Sequence, residues 1–384
     1  MRIGIDYITA YGSGGNGTYT RELSRALGGA GLGDAFFLYT YIHHRLLRRV
    51  KPDFSSQRFA GSFFPSFRMP ALTELGERAS RWLLARRAKW DGLDVMHFTN
   101  PLNFAEGVSP RTRVVATMHD LAWLKNSDWV KPSTHARMKK LLPTIVSRCD
   151  AIIAVSESTR QDLLLSFPEA AGRVTVIHEG ASPLFRLAQH SDDGFLRRYG
   201  LLKPYVLSVG EIQPRKNLQS LLRAYAILKP DLRARYDLVL VGAPRNEEAR
   251  HQLKSAIAAQ SLQNCVRIAG RVSDEDLARF YQHATVFAYV SHWEGFGLPV
   301  LEAMASGTPV VASNTSSLPE VGGNACVYAD PARPDAVAAQ LEILLGNETL
   351  RAELKQKALA RARAFSWQKA ANETLAAYRS VAGR

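Results

Sequence analysis

The chain has 384 residues, of which 46% are hydrophobic and 22% are charged, and it carries a formal charge of +14 at pH 7. These shares are those of an ordinary globular protein, and the length favours two domains. The sequence has no apolar run that could span a bilayer, and its three widely spaced cysteines argue against a disulfide framework or a zinc knuckle. The N-terminal MRIGIDYITAYG shows a strand-like alternation instead of a secretion signal. We therefore expect a soluble or peripheral protein of a reducing compartment.

Strand-like and helix-like segments alternate along the chain. In the first half, the predicted strands are MRIGIDYI, FFLYTYI, DVMHFTN, RVVATMHD and AIIAVS. In the second half, they are YVLSVG, YDLVLVG, VRIAG, VFAYVS and TPVVAS. Buried strands that alternate with helices favour parallel α/β sheets. The polar stretch 178–195 predicts the junction between two α/β domains, with a cleft at the carboxyl ends of both sheets.

Residues 41–90 concentrate the positive charge of the chain. They contain eleven Lys or Arg and three acidic residues, a local balance of +8. The segment ERASRWLLARRAKW predicts a basic amphipathic helix. One interpretation is a solvated helix face whose aromatic residues pack inward. The other is a patch for an anionic membrane surface or a phosphate-bearing lipid. Nucleic acid is the least favoured partner, because no nucleic-acid module is present. Aromatic residues interleaved with these charges include Phe59, Phe63, Phe64, Phe67, Trp82 and Trp90.

The stretch LSVGEIQPRKNLQSLLRAY predicts a strand ending at Gly210 and a helix directly after Arg215 and Lys216. Cations at a helix N-terminus are unfavourable because the helix dipole is positive there. A bound diphosphate would offset that cost by pairing with both side chains. The alternative is a charged turn that faces solvent.

A nearby DxD pattern, Asp274 and Asp276 in GRVSDEDLARFYQ, is of a type that can hold a metal ion between protein and diphosphate. Here Ser273 stands where an N-cap belongs, and the acids fill the first helical turn. We therefore predict ordinary helix initiation and no metal site.

The stretch SHWEGFGLPVLEAMASG, residues 291–307, predicts a loop followed by a helix with Pro299 in its first turn and Gly307 just past its end. Such a helix start suits a phosphate. Glu294 and Glu302 would repel a bare phosphate, so we expect them to bind hydroxyl groups on either side of it. A nucleotide sugar has that layout of ribose, diphosphate and sugar. The alternatives are a solvated loop acid and a first-turn partner for the helix dipole.

Together these motifs resemble the retaining family-4 glycosyltransferases of the GT-B class, over nearly the whole chain. That family's two glutamates, separated by seven residues, are similar to Glu294 and Glu302, and its Arg-Lys pair is similar to Arg215 and Lys216. Other similar stretches are SGGNGTYTREL, ATMHDL, AVSESTRQDL and FSWQKAANETL. One departure is VIHEGAS, where many relatives carry Asn-Gly-Val-Asp.

The resemblance implies an α/β fold with two Rossmann-like parallel-sheet domains that face a cleft. The N-terminal acceptor domain would cover residues 1–185, and the C-terminal nucleotide-sugar donor domain would cover residues 186–365. A last helix, 366–384, would pack back on the N-terminal domain.

The resemblance also implies roles for individual residues. Glu294 would contact the donor sugar and Glu302 the ribose, while Arg215 and Lys216 would bind the diphosphate. The implied catalytic residues are Arg215, Lys216, Glu294 and His119, and His119 would also contact the sugar. The remaining implied donor-binding residues are Gly15, Gly210, Arg271, Phe296, Gly297 and Leu298. No cofactor and no metal would be required.

The family retains anomeric configuration, which implies same-face attack with the departing phosphate taking the acceptor proton. MHDLAWLKNSDWVKPSTHARMKK resembles a segment of bacterial polysaccharide mannosyltransferases. This implies GDP-mannose as donor and a lipid-linked oligosaccharide acceptor at the cytoplasmic membrane face, in O-antigen, capsule or exopolysaccharide synthesis. The alternatives are a UDP-hexose or dTDP-rhamnose donor, a GT-B-like epimerase or phosphorylase, and a non-catalytic nucleotide-binding subunit.

Overall fold

The structure, a computed structural model, describes residues 1–12, 14–31, 33–41, 59–64, 73–188 and 193–383. Its internal contacts divide the chain into two units. The first comprises Met1–Glu179 with Trp367–Arg384, and the second comprises Gly180–Ser366. The first unit thus ends somewhat before the boundary expected after residue 185, within the polar stretch that predicted the junction.

The first unit is built on a parallel sheet with seven strands among the described residues, in the order β3-β2-β1-β4-β5-β6-β7. The strands are β1 Arg2–Asp6, β2 Ala35–Tyr41, β3 Phe59–Phe64, β4 Val95–Phe98, β5 Arg113–Met118, β6 Ala151–Ala154 and β7 Val174–Val176. All five strands predicted for this half are confirmed. The prediction missed β3, whose sequence FAGSFF is interrupted by Gly and Ser, and β7, which has only three residues.

Helices and short 3-10 turns connect these strands. The α-helices are α1 Gly15–Ala30, α2 Thr73–Trp90, α3 Ala122–Lys125, α4 Pro132–Arg148, α5 Glu157–Ser166 and a C-terminal helix, Trp367–Ala382. The 3-10 turns are Thr9–Tyr11, Pro101–Asn103, Ser127–Trp129 and Pro168–Arg173.

The C-terminal helix belongs to the first unit, where it packs against α1. The hydroxyl of Tyr378 lies 2.6 Å from Nδ1 of His97 on β4, and Nε2 of His97 lies 2.8 Å from the hydroxyl of Thr117 on β5. Burial, reinforced by His119, lowers the pKa of His97 to about 3. His97 is therefore neutral at physiological pH, as a buried imidazole with two hydroxyl partners should be.

The second unit repeats the same design with six strands in its described part, in the order β10-β9-β8-β11-β12-β13, all parallel. The strands are β8 Tyr205–Val209, β9 Asp237–Val241, β10 Val266–Gly270, β11 Val286–Tyr289, β12 Val310–Ser313 and β13 Cys326–Ala329. The five predicted strands are confirmed and β13 was missed.

The helices of this unit cover both faces of its sheet, in keeping with parallel strand pairing. The α-helices are α6 Asp193–Arg198, α7 Leu218–Ala226, α8 Pro230–Arg235, α9 Glu247–Ala259, α10 Asp274–His283, α11 Leu298–Ala305, α12 Leu318–Gly322, α13 Pro334–Gly346 and α14 Glu348–Ala362. The 3-10 turns are Pro214–Lys216 and Gly323–Ala325.

The two strand orders correspond to the Rossmann order 3-2-1-4-5-6, with one added edge strand in the first unit. In this order the chain direction across the sheet reverses between the first and fourth strands, and ligands bind at the carboxyl ends beside that point. In the second unit these strands are β8 and β11, which pair directly. The segments that follow β8 and β11 are therefore the ones placed at a binding crevice.

The basic segment 41–90 is described in part. Its helix is confirmed as α2, but Trp82 is 55% exposed and Trp90 is 82% exposed. Of the two interpretations left open for this segment, inward packing of the aromatic residues is wrong for these two tryptophans. Arg48, Arg49 and Phe67 lie outside the described residues, as do the side chains of Phe59, Phe63 and Phe64. Within the described part of the chain, no helix is both long and apolar enough to cross a membrane.

Candidate donor site

The site begins where β8 ends, at Gly210. Gly210 has φ +146°, a backbone conformation that side chains rarely adopt. A Cβ atom there would also lie 3.4 Å from Cε of Lys216. That distance is ordinary van der Waals contact, so the stem of Lys216 runs past the end of the strand and the backbone conformation is what favours glycine at this position. A small pocket lies here, lined by Gly210, Lys216 and Tyr289 among others.

Arg215 and Lys216 both contact the carboxylate of Glu294. Nη1 of Arg215 lies 2.8 Å from Oε2, and Nζ of Lys216 lies 2.7 Å from Oε1. The three side chains are largely buried, with 14%, 13% and 8% of their surface exposed. The pair and the glutamate are more than seventy residues apart in sequence, and the pairing of β8 with β11 brings them together.

Burial alone would raise the pKa of Glu294, but the charges of Arg215 and Lys216 overcome this effect and lower it to about 2. Glu294 is therefore ionised at physiological pH, and the cluster carries a local charge of +1. From the sequence, a bound anion was expected to offset the cost of two cations before a helix. In the structure Glu294 is a protein partner for both, which the sequence analysis did not foresee.

Tyr289, the last residue of β11, completes the surroundings of Lys216. Nζ of Lys216 donates a hydrogen bond of 2.5 Å to the Tyr289 hydroxyl and lies 4.9 Å from the centre of its ring. Burial and the neighbouring Glu294 hold the pKa of Tyr289 well above its usual value, so the hydroxyl stays neutral. Tyr289 was not predicted as a site residue, although its place at the end of the predicted strand VFAYVS was a usable signal.

The loop after β11 leads into α11 through Gly297, which has φ +106°. A Cβ atom on Gly297 would lie 2.6 Å from Cδ2 of Leu318, so this turn requires glycine. The oxygen of Ser316 accepts a hydrogen bond of 3.0 Å from the Glu294 N–H, and Ser317 donates one of 2.7 Å to the Phe296 carbonyl. These two hydroxyls fix the loop in front of the helix.

The predicted limits of α11 are confirmed. It runs over Leu298–Ala305, with Pro299 in its first turn and Gly307 beyond its end at φ +76°. The first N–H groups of a helix have no partner within it and carry a partial positive charge. Leu298 and Phe296 are largely buried.

Glu302 lies on α11 about one turn after Leu298 and is 9% exposed. Its Oε2 accepts a hydrogen bond of 3.0 Å from the hydroxyl of Tyr281 on α10. Burial, together with the charge of Glu302, raises the pKa of Tyr281 well above its usual value, so Tyr281 remains a donor. Tyr281 fixes the orientation of Glu302 and is a second residue that the sequence analysis missed.

Arg271 follows the carboxyl end of β10 and is exposed. The DxD pattern beside it initiates α10 as predicted, because Ser273 accepts a hydrogen bond of 3.1 Å from the Asp276 N–H. The Asp276 carboxylate also lies 2.6 Å from Arg198 and 2.7 Å from the Tyr199 hydroxyl. These contacts account for Asp276 as a structural acid.

The first unit holds the other two predicted residues. Gly15 is the first residue of α1, and His119 directly follows β5. Nε2 of His119 lies 2.8 Å from the carbonyl oxygen of Thr99, and Nδ1 lies 3.6 Å from Oε1 of Glu179. The second unit holds the rest, and it brings Gly210, Arg215, Lys216 and Glu294 together in one cluster.

Comparisons with known proteins agree with this arrangement. The family "Glycosyltransferase Family 4" matches residues 13–183, and "Glycosyl transferases group 1" matches residues 200–361. O-antigen chain mannosyltransferase B of Escherichia coli is 34% identical over 269 residues, 70% of each chain. The serotype-specific mannosyltransferase WbdA of Escherichia coli is 32% identical over 266 residues, which are 68% of this chain and 32% of that protein.

A solved structure supports the fold independently of close sequence similarity. Sucrose-phosphate synthase from Thermosynechococcus elongatus matches with a TM-score of 0.79 at 21% identity, over 99% of this chain and 98% of that one. The fold is thus the two-domain α/β fold of GT-B glycosyltransferases. Together with the relative that is 34% identical over 70% of both chains, this shows that the chain belongs to glycosyltransferase family 4.

Proposed function

We propose that the protein transfers mannose from GDP-mannose to a lipid-linked oligosaccharide of a surface polysaccharide, with retention of anomeric configuration. The observation that carries the proposal is the buried cluster of Arg215, Lys216 and Glu294 at the carboxyl edge of the sheet, beside the start of α11. The choice of mannose is supported by the two relatives, which are both named mannosyltransferases of Escherichia coli.

The two cations fit the charge that develops during transfer. As the bond between the anomeric carbon and the phosphate oxygen breaks, the diphosphate gains negative charge. Arg215, Lys216 and the N-terminal end of α11 offer positive charge in a largely buried setting, where it stabilises the leaving group more strongly than in water. This positive charge is also the reason to propose that no metal ion and no cofactor take part.

The carboxylate of Glu294 is suited to accept hydrogen bonds from hydroxyl groups of the donor sugar. An ionised carboxylate only accepts hydrogen bonds, and each of its oxygens has two lone pairs. Each oxygen accepts from one cation, and Tyr289 and Ser291 also lie beside the carboxylate, so a sugar hydroxyl would take a remaining lone pair. In the proposed retaining reaction the acceptor oxygen bonds to the anomeric carbon on the face that the diphosphate leaves, and the acceptor proton passes to the departing phosphate oxygen.

Calorimetric titration of the protein with GDP, UDP and dTDP in EDTA tests the donor. We expect GDP to bind at least about tenfold more tightly than the other two, a difference of ~1.4 kcal/mol. Addition of Mg²⁺ should leave the GDP affinity unchanged. Preference for UDP or dTDP would replace mannose with a UDP-hexose or dTDP-rhamnose donor. If none of the three binds, the chain is a non-catalytic member of its family.

The acceptor side of the proposal places α2 against an anionic membrane. On this helix the exposed Trp82 and Trp90 accompany exposed Arg86 and Lys89, and the Arg86 guanidinium lies 4.8 Å from the centre of the Trp82 ring. Tryptophan and arginine side by side on one exposed face are typical of helices that lie in the headgroup region. Such a surface would bring the active site to a lipid-linked acceptor.

Vesicle binding tests this surface. We expect Arg86→Glu with Lys89→Glu to lower binding to phosphatidylglycerol-containing vesicles at least about 30-fold, since each basic residue near such a surface contributes ~1 kcal/mol. GDP affinity should stay the same. The matched control is Arg250→Glu with Lys254→Glu on the exposed face of α9. An equal loss in the control would show that only net charge matters, and no loss in the α2 variant would remove this surface from the proposal.

A further inference from the structure

Tyr281 is buried near the end of α10, and its hydroxyl donates a hydrogen bond of 3.0 Å to Oε2 of Glu302 on α11. The function proposed so far gives this tyrosine no role toward a ligand. Glu302 is largely buried as well, and it lies about one turn into the helix whose N-terminal end is proposed to stabilise the diphosphate. Tyr281 therefore links the core of the second unit to an acid of the donor site.

Aromatic neighbours and a second hydrogen bond hold Tyr281 in one place. Its ring meets those of Phe185 and Phe287 edge-on, with centres 5.7 Å and 5.2 Å apart. Its backbone carbonyl accepts a hydrogen bond of 2.6 Å from the hydroxyl of Thr308, just beyond the end of α11. One residue of α10 thus contacts α11 and the segment after it at two points. The Tyr281 hydroxyl is therefore a donor in a fixed position.

The chemistry of a carboxylate limits what Glu302 can bind. An ionised carboxylate has about four lone-pair sites and no donor, and Tyr281 donates to one of these sites on Oε2. Such a group accepts hydrogen bonds from hydroxyl groups and repels phosphate oxygens. In a nucleotide sugar, the hydroxyl groups on the two sides of the diphosphate belong to the ribose and to the hexose. The proposed function places the hexose at Glu294, so the ribose is the part that Glu302 can bind.

We propose that Tyr281 is a positioning residue for Glu302, and that the pair makes the donor site select ribonucleotides over 2′-deoxyribonucleotides. The role rests on the proposed function, in which the second unit binds a nucleoside diphosphate. Glu302 accepts hydrogen bonds from the ribose, and Tyr281 holds the carboxylate in the orientation that reaches it. A site built to bond a ligand hydroxyl rejects the analogue that lacks it, because a buried polar group then stays unpaired. Donors that carry 2′-deoxyribose, such as dTDP sugars, should therefore bind poorly.

Titration of the full chain with GDP and with 2′-deoxyGDP isolates the ribose, because these ligands differ in a single hydroxyl. We define the ribose selectivity as the Kd for 2′-deoxyGDP divided by the Kd for GDP. It should be at least about tenfold in the natural protein, since a hydrogen bond to a charged group has an effect of this order. Tyr281→Phe keeps the ring and removes the hydroxyl. The variant should bind GDP more weakly and 2′-deoxyGDP as before, so its ribose selectivity should fall below about threefold.

A second buried tyrosine provides the matched control. The Tyr205 hydroxyl on β8 donates a hydrogen bond of 2.8 Å to the carbonyl of Phe280, the residue before Tyr281 on α10. Tyr205→Phe therefore removes a buried hydroxyl that bonds to the same helix, and it should leave the ribose selectivity unchanged. If Tyr281 served packing alone, both variants would lower the midpoint of thermal unfolding without changing the ribose selectivity. That result would overturn the proposal.

A double-mutant cycle tests whether Tyr281 acts through Glu302. Glu302→Ala should also lower the ribose selectivity, and adding Tyr281→Phe to it should change the remaining selectivity by less than about twofold. A further loss as large as that of Tyr281→Phe alone would overturn the proposal. If UDP binds in place of GDP, only the donor base is wrong, and UDP against 2′-deoxyUDP should show the same selectivities. Preference for dTDP would reject the ribose role alone, whereas absence of binding to every nucleoside diphosphate would reject the proposed function with it.

Discussion

Lys216→Ala is expected to weaken GDP binding about 100-fold, which corresponds to ~2.8 kcal/mol. A charge-assisted hydrogen bond in a largely buried site contributes about 1.5–3 kcal/mol, and Lys216 is 13% exposed. The substitution also changes the local charge of the cluster from +1 to 0, since Arg215 is then balanced by Glu294. Both effects weaken binding of a diphosphate, and calorimetric titration measures their sum.

The controls for this variant address shape and general charge. Lys216→Met keeps most of the aliphatic stem that runs past Gly210, so it should lose affinity to a similar extent. Lys254→Ala removes an exposed lysine of the same unit and should bind GDP normally. If Lys216→Ala binds GDP with unchanged affinity while remaining folded, Lys216 has no part in diphosphate binding.

Glu294→Ala should have opposite effects on binding and on transfer. Without the carboxylate, Arg215 and Lys216 leave a local charge of +2, so GDP should bind at least as tightly as to the natural protein. Transfer should fall about 1000-fold, because loss of one preorganised group at a reacting centre costs roughly 100- to 1000-fold in rate. The measurements are GDP titration and the initial rate with GDP-mannose.

Folding has to be checked in the same experiment, since a buried ion pair that loses one partner is destabilised by about 3–5 kcal/mol. Glu294→Gln keeps the shape and two acceptor lone pairs, and it should show the same separation of binding from transfer. Glu275→Gln changes an exposed carboxylate on α10 and should leave both measurements unaltered. Turnover at the natural rate in Glu294→Ala would exclude Glu294 from the sugar site.

The strands and the main helix of the donor site could be predicted because their signals are local. Alternating apolar runs identified ten strands, and Pro299 with Gly307 identified the limits of α11. The charged residues of the site were found because they stand at the ends of these elements. Their roles toward a ligand stay predictions.

The contacts among those residues could not be predicted. Glu294 pairs with Arg215 and Lys216 because β8 and β11 are neighbours, and the order of strands in a parallel sheet leaves no local mark on the sequence. Tyr281 was missed because a tyrosine within a helix is usually core packing, whereas Tyr289 could have been noticed from its place at the end of a predicted strand. The exposure of Trp82 and Trp90 could not be predicted either, because the sequence pattern of α2 does not show that these two side chains face solvent.

The placement of the C-terminal helix has a consequence for how the chain is made. A ribosome that adds about 5–20 residues per second needs roughly 10–40 s for residues 180–366. During that time the strands of the first unit are already synthesised, but the partner of α1 and of His97 has not emerged. The first unit therefore cannot complete its packing until the helix Trp367–Ala382 has left the ribosome. Until then the surface of α1 that contacts this helix stays uncovered. A nascent chain that stalls just before Trp367 would contain all of the second unit, but its first unit would lack the C-terminal helix.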